Sequence, residues 1–166
     1  MNKAILVFLI ITLAFNPALS QGKSKSKSSA SANDELVIKS LIEKETKAFF
    51  EIDYTTWADC WIKAPYAFWS FADTTDVNSF TGWEAINKGF ANYFKTSKPS
   101  KAKIERTWRD IRIYGNGAYA RFTQHVSDDT ERPPQEEVRV LEKINGQWKI
   151  VCVSVIAVQK ENQPVR

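Results

Sequence analysis

Residues 103–158 read KIERTWRDIRIYGNGAYARFTQHVSDDTERPPQEEVRVLEKINGQWKIVCVSVIAV, and the fold turns on how they are read. Four β-patterned runs follow one another: Lys103 to Tyr114, Ala118 to Val126, Glu136 to Lys143 and Trp148 to Val158. Gly115-Asn116-Gly117 joins the first two and Asn145-Gly146 the last two, with residues that tolerate the positive φ of tight hairpins. The stretch predicts an antiparallel meander. Ile104 and Trp108 share one parity and Ile111 and Ile113 the other, so a bulge at Arg109 or Asp110 bends the first strand.

Upstream, the period changes. Ile38, Leu41, Ile42, Glu45, Phe49 and Ile52 recur at three- and four-residue spacings, the stripe of an amphipathic helix beginning at Asp34. Asp53 can cap a second, short helix in which Trp57, Cys60 and Trp61 share a buried side, and Pro65 closes that helical stretch. Tyr66 to Phe71 carries aromatics on both faces, as a strand covered on both sides or lying beside a pocket would. Thr81-Gly82-Trp83-Glu84 has the spacing of a capping box for a third helix, whose inner face carries Ile86, Phe90 and Phe94.

The chain of 166 residues suits one domain, and its 43% hydrophobic and 25% charged content excludes wholesale disorder, a collagen-like repeat and a multi-span membrane protein. Residues 1–20 read as a signal peptide: Lys3, an apolar run from Ala4 to Phe15, then small residues before Gln21. Residues 21–33, QGKSKSKSSASAN, hold no large apolar side chain and are expected to form a disordered Lys/Ser-rich tail, with a short C-terminal tail over 159–166. The mature chain is then secreted or periplasmic, with no stable membrane anchor. Without Lys3, Lys23, Lys25 and Lys27, the 23 basic residues are reduced to the number of the 19 acids, so residues 34–166 carry no formal net charge. Nucleic-acid binding loses its electrostatic support. Cys60 and Cys152 would be permitted a disulfide after export, but a buried small hydrophobe is the commoner role for cysteine in a domain of this size.

Three N-terminal helices followed by a long meander predict an α+β domain over 34–158, in which the helices pack on one face of a curved antiparallel sheet and close a cone. The open end of the cone is then a pocket, and a second copy covering the far face makes a homodimer or higher homo-oligomer.

The order of these elements resembles the nuclear transport factor 2-like superfamily, which includes SnoaL-like proteins, ketosteroid isomerases and dehydratases of cystatin-like fold. Ala118-Tyr119-Ala120-Arg121-Phe122-Thr123-Gln124, Glu136-Glu137-Val138-Arg139-Val140 and Gly146-Gln147-Trp148-Lys149-Ile150-Val151 are similar, in order and spacing, to strand motifs of the calcium/calmodulin-dependent protein kinase II association domain. That resemblance implies arginines at Arg121 and Arg139 that point into the cone and hold carboxylate ligands, as a guanidinium fork can do bidentately. His125 would neighbour Arg121 on its strand face. A third arginine of that family falls on Val155, and its nearby histidines on Cys152 and Ser154, which makes the polar end more apolar.

The expected ligand site is therefore Arg121 and Arg139 as anchors, His125 beside them, and Trp61, Tyr66 and Trp108 as walls, for a small, partly apolar molecule with carboxylates among the candidates. The alternative for both arginines is an ion pair with an internal Glu or Asp, and for His125 a partly exposed strand position. No metal cluster, phosphate loop or nucleophile elbow is present, no cofactor is implied, and no nucleic acid is expected as a partner. The leading expectation is an exported, non-catalytic binding or association domain. The other is an isomerase or dehydratase, for which a base is hard to place: Ser70, Asp73 and Asp76 lie in or beyond the 66–71 strand, and His125 with Asp53 or Asp59 is the remaining combination.

Overall fold

A computed structural model of the chain describes residues 29–127 and 133–157. The elements run α1 (Ser29–Phe50), α2 (Tyr54–Cys60), β1 (Phe68–Ala72), β2 (Val77–Thr81), α3 (Trp83–Thr96), β3 (Lys103–Tyr114), β4 (Gly117–Ser127), β5 (Gln135–Ile144) and β6 (Gln147–Ala157). The proposed signal peptide, residues 21–28 of the tail, and the C-terminal tail lie outside the described residues. The last residues expected in the tail are helical, because α1 begins at Ser29 rather than at Asp34.

One open six-stranded sheet, in the order β2-β1-β6-β5-β4-β3, carries the domain. The meander is as expected, and its register slips between Trp108 and Asp110, where the change of parity placed a bulge. Gly115, Asn145 and Gly146 adopt the positive φ that their turns require. Two features correct the expected cone on an antiparallel sheet. The sheet is mixed, since β1 runs parallel to β6, with Trp69 opposite Val153 and Phe71 opposite Val155. It also does not close, for β2 and β3 stand at opposite ends, unpaired to one another, among the described residues. Two register shifts, after Trp108 in the β3–β4 pairing and between Val140 and Leu141 in the β5–β6 pairing, bend strands only locally, which is not enough to join edges six strands apart.

The helices cover the sheet face that buries Ala118, Ala120, Phe122, Gln124 and Val126 of β4 and Glu137, Arg139 and Leu141 of β5. Ile38 and Ile42 of α1 are fully buried there, as the helical stripe predicted. Asp34 ties the start of α1 to the last hairpin, accepting hydrogen bonds from Lys143 Nζ (2.6 Å) and Trp148 Nε1 (3.0 Å). Ile52 lies past the helix end at φ 60, where its N–H donates to Phe49 O and the next N–H to Ala48 O, an αL termination. Asp53 then caps α2 as expected, accepting from the Thr56 N–H at 3.0 Å. That helix stops well before Pro65 because Ile62 N donates to Ile150 O, drawing the chain onto β6.

The expected capping box does not form. Thr81 is occupied as the last residue of β2, opposite Phe68, so the N-cap of α3 falls on Gly82, which makes no side-chain cap. Gly82 sits at φ 85, ψ 146, a region open in practice to glycine alone, and a Cβ there would lie 3.2 Å from Pro65 O. Gly82→Ala should lower the unfolding free energy by about 1–3 kcal/mol, read from the urea midpoint. Cys60 and Cys152 are free thiols, Cys60 in the core and pushed up to about 11 by burial, which leaves it unreactive.

Candidate functional site

The inner face of the sheet and the three helices form a partly open cavity of about 210 Å³. Phe49, Trp57, Trp69, Phe71 and Phe90 form its apolar walls, with Val153 and Val155 of β6 between them. Its polar end is built from Glu45 and Thr46 of α1, Gln124 of β4, and Gln135, Glu137 and Arg139 of β5. Helical and strand periods bring these together. Glu45 occupies the buried stripe of α1, while Glu137 and Arg139, two apart on one strand, share a face. In register, Arg139 stands opposite Ala120, whose small side chain leaves room for the guanidinium.

Arg139 is 4% exposed and lies between two carboxylates: Nη2 is 2.5 Å from Glu137 Oε2, and Nη1 is 3.6 Å from Glu45 Oε2. Glu45 is held further by Trp57 Nε1, which donates to Oε1 at 3.0 Å, and by the Thr46 hydroxyl, whose one proton is shared between Oε2 at 3.3 Å and Ile42 O at 3.0 Å. Burial works against the charge on Arg139, but Glu137 and Glu45 outweigh it and hold the guanidinium firmly protonated. Burial pushes the Glu137 carboxyl above the ordinary glutamate range, against the pull of Arg139. Arg139 Nε and Gln124 Oε1 are enclosed without hydrogen-bond partners.

Because the folded Glu137 is raised above its unfolded value of 4.5, its contribution to stability is full below that pH and is lost as pH rises through the folded value. Glu137→Gln removes this titration. The wild-type protein should therefore lose stability relative to Glu137→Gln as pH climbs above 4.5, as measured by urea unfolding at successive pH values.

Of the side chains expected in the site, only Arg139 lines the cavity. Arg121 is paired in register with Val138, not with Arg139, so it projects from the opposite, exposed face, where Nη2 meets Asp110 Oδ2 at 2.9 Å. His125 is exposed on that same face, opposite Glu105. Tyr66 is exposed, and its hydroxyl donates to Glu142 Oε2 at 2.9 Å. Trp61 is buried in an aromatic cluster with Trp57 and Trp83, its indole N–H enclosed without an acceptor. Trp108 is half-buried against Phe122, 4.9 Å between ring centroids.

The parity of β4 explains the misplaced arginine. Phe122, Gln124 and Val126 hold the buried positions, which turns Arg121, Thr123 and His125 outward together. The acid–base combinations also come apart: Asp53 caps α2, Asp59 pairs at the surface with Lys149 (3.2 Å) and Lys44 (3.9 Å), and Ser70 donates to Ser154. Glu45, Thr46, Gln124 and Glu137 were not foreseen as site residues. Their signals were a carboxylate in an apolar helical stripe, an amide at a buried strand parity and a glutamate two residues from an arginine.

Among the described residues, no group of three or more His, Cys, Asp or Glu side chains is placed to hold a metal ion, and no helix is long and apolar enough to cross a membrane. A buried carboxylate in an aromatic-walled cavity can accept a hydrogen bond or a proton from a bound molecule.

Residues 38–156 match the family model of the SnoaL-like domain. No curated protein matches the chain. Among solved structures, an NTF2-like protein of unknown function from Shewanella baltica superposes with a TM-score of 0.59 at 16% identity, over 78% of this chain and 97% of that one. A putative calcium/calmodulin-dependent protein kinase type II association domain from Thiobacillus denitrificans gives 0.60 at 12% identity, over 73% and 94%. A protein of unknown function from Mycobacterium tuberculosis gives 0.61 at 18% identity, over 78% and 75%. At such identities the likeness is one of fold.

Proposed function

The chain belongs to the SnoaL-like domain family, and from that premise we propose that it is an exported binding domain holding a small, partly apolar molecule between its helices and the inner face of the sheet. The observation that carries this reading is the cavity itself, walled by aromatic rings and ended by buried hydrogen-bonding groups. Arg139 is already engaged by two carboxylates and Arg121 faces the other way, so an anion held between those two arginines is not part of the reading. An uncharged molecule with a donor for Glu137 or Gln124 suits the polar end better. On the far face, Val138, Val140 and Ile156 are exposed, which supports a second copy packing there.

Native mass spectrometry of purified protein tests ligand and assembly together. A small molecule released on denaturation, from a particle of at least twice the chain mass, is the expected result. Trp57 and Trp69 line the cavity, so ligand entry should also change tryptophan emission. A bare monomer whose emission is indifferent to a panel of small cyclic compounds would remove both parts of the reading. Export is tested separately: mature protein recovered outside the cytoplasm should begin at Gln21.

Glu137 favours a second reading, an isomerase or dehydratase in which this desolvated carboxylate moves a proton. Turnover of a ligand abolished by Glu137→Gln with binding retained would support it. Binding with no turnover leaves the first reading standing.

A further inference from the structure

A second guanidinium lies close to the first and lacks what the first has. Arg106 of β3 stands opposite Gln124, on the buried side of the sheet, and its Cζ lies 5.4 Å from the centre of the Phe122 ring, which Arg139 approaches to 5.9 Å. Arg106 Nε and Nη2 are enclosed and donate to no acceptor, and the side chain forms no ion pair among the described residues. Glu137, Glu45 and Glu43 attract it from a distance and Arg139 repels it. Two of the three nitrogens of a partly buried guanidinium are thus withdrawn from water without an acceptor, which is costly, since buried polar groups are ordinarily paired.

Arg106 forms part of the wall of a second cavity, a cleft of about 590 Å³ between α1, the α3–β3 connection and β3. Phe50, Ala102 and Ile104 give the cleft an apolar side. Of its other cations, Lys47 is engaged by Glu51 at 2.9 Å, while Lys101 is exposed and forms no ion pair among the described residues. Glu43 also lines the cleft, so Arg106 and Lys101 face one carboxylate that is not otherwise committed.

We propose that this cleft binds an amphiphilic organic anion, its charged end on Arg106 with Lys101 beside it and its apolar end against Phe50, Ala102 and Ile104. The anion supplies the acceptor that the partly buried guanidinium lacks: it takes the nearest N–H of the fork and draws the side chain round to a two-point contact. This site is distinct from the inner cavity, although Phe50 borders both.

Calorimetric titration of the full chain with octanoate and with octanamide tests the proposal. Octanoate should bind about ten- to a hundredfold more tightly than the amide, the range expected for a charge-assisted hydrogen bond in a half-buried site. Arg106→Gln should abolish that preference, and Arg106→Lys should keep part of it. Thermal unfolding separates ligand anchoring from a structural role. With no octanoate present, Arg106→Gln should not lower the midpoint, since it removes an unpaired charge. Equal affinities for acid and amide, unchanged octanoate affinity in Arg106→Gln, no octanoate binding at millimolar concentration, or a lowered midpoint for Arg106→Gln would each overturn it.

Discussion

Arg139→Met lowers the unfolding free energy by about 3–5 kcal/mol, the loss expected when one partner leaves a buried ion cluster and the others stay charged. Glu137, 2% exposed, then keeps a carboxylate in an apolar setting with no cation paired to it and only the more distant Arg106 attracting it, and Glu45 keeps only its bonds from Trp57 and Thr46. Against a total of about 5–15 kcal/mol for a domain, a change of this size dominates the urea midpoint. Two further measurements isolate the cause. Acid should rescue the variant, because without Arg139 the folded Glu137 titrates still higher, so stability is full below 4.5 and lost as pH rises. Changing Glu137 to Leu in the same protein should recover most of the loss, since removing both members of a buried pair costs far less than removing one. A loss under about 1 kcal/mol for Arg139→Met alone would mean that water reaches the cluster freely.

The second large effect belongs to Trp57, 1% exposed at the meeting point of the helices. Its ring lies 4.8 Å from Phe94, 5.5 Å from Phe90 and 5.7 Å from Trp83, and its N–H donates to Glu45. Trp57→Ala should cost about 3–5 kcal/mol through the void it leaves, and the void opens into the inner cavity that Trp57 walls. Trp57→Phe keeps most of the ring and removes the donor, leaving one Glu45 oxygen without its bond. Its cost should be about 1.5–3 kcal/mol. If Phe costs as much as Ala, shape rather than the hydrogen bond governs the position, and the polar end of the cavity is less tightly organised than its distances indicate.

Where local chemistry decides an element, the sequence was readable. Gly115 and Asn145-Gly146 demanded their turns, Asp53 its cap, and the parity change around Arg109 its bulge. What depends on distant pairing was not. Val77–Thr81 has three polar residues among five and mostly exposed positions, and becomes a strand only by pairing with β1. The parallel contact of β1 with β6 joins Ser70 to Ser154 across the whole meander, and no local pattern announces it. Thr81-Gly82-Trp83-Glu84 shows the two levels in conflict: a good cap locally, overridden because the sheet takes Thr81. The site divided the same way. Arg139 was legible from its motif, but its partner Glu45 arrives from a helix 94 positions upstream, and only packing could reveal that the carboxylates are already in place.

Strand β3 leaves one backbone edge of twelve residues without a neighbouring strand among the described residues. Lys103, Glu105, Arg109 and Arg112 stand exposed along it, and its register breaks after Trp108. An incoming strand would have to strip water from those charges and match an interrupted ladder, so the edge makes a poor template for fibril growth. Crowded solutions of this protein should resist cross-β aggregation at that border even if neighbouring molecules meet broadside.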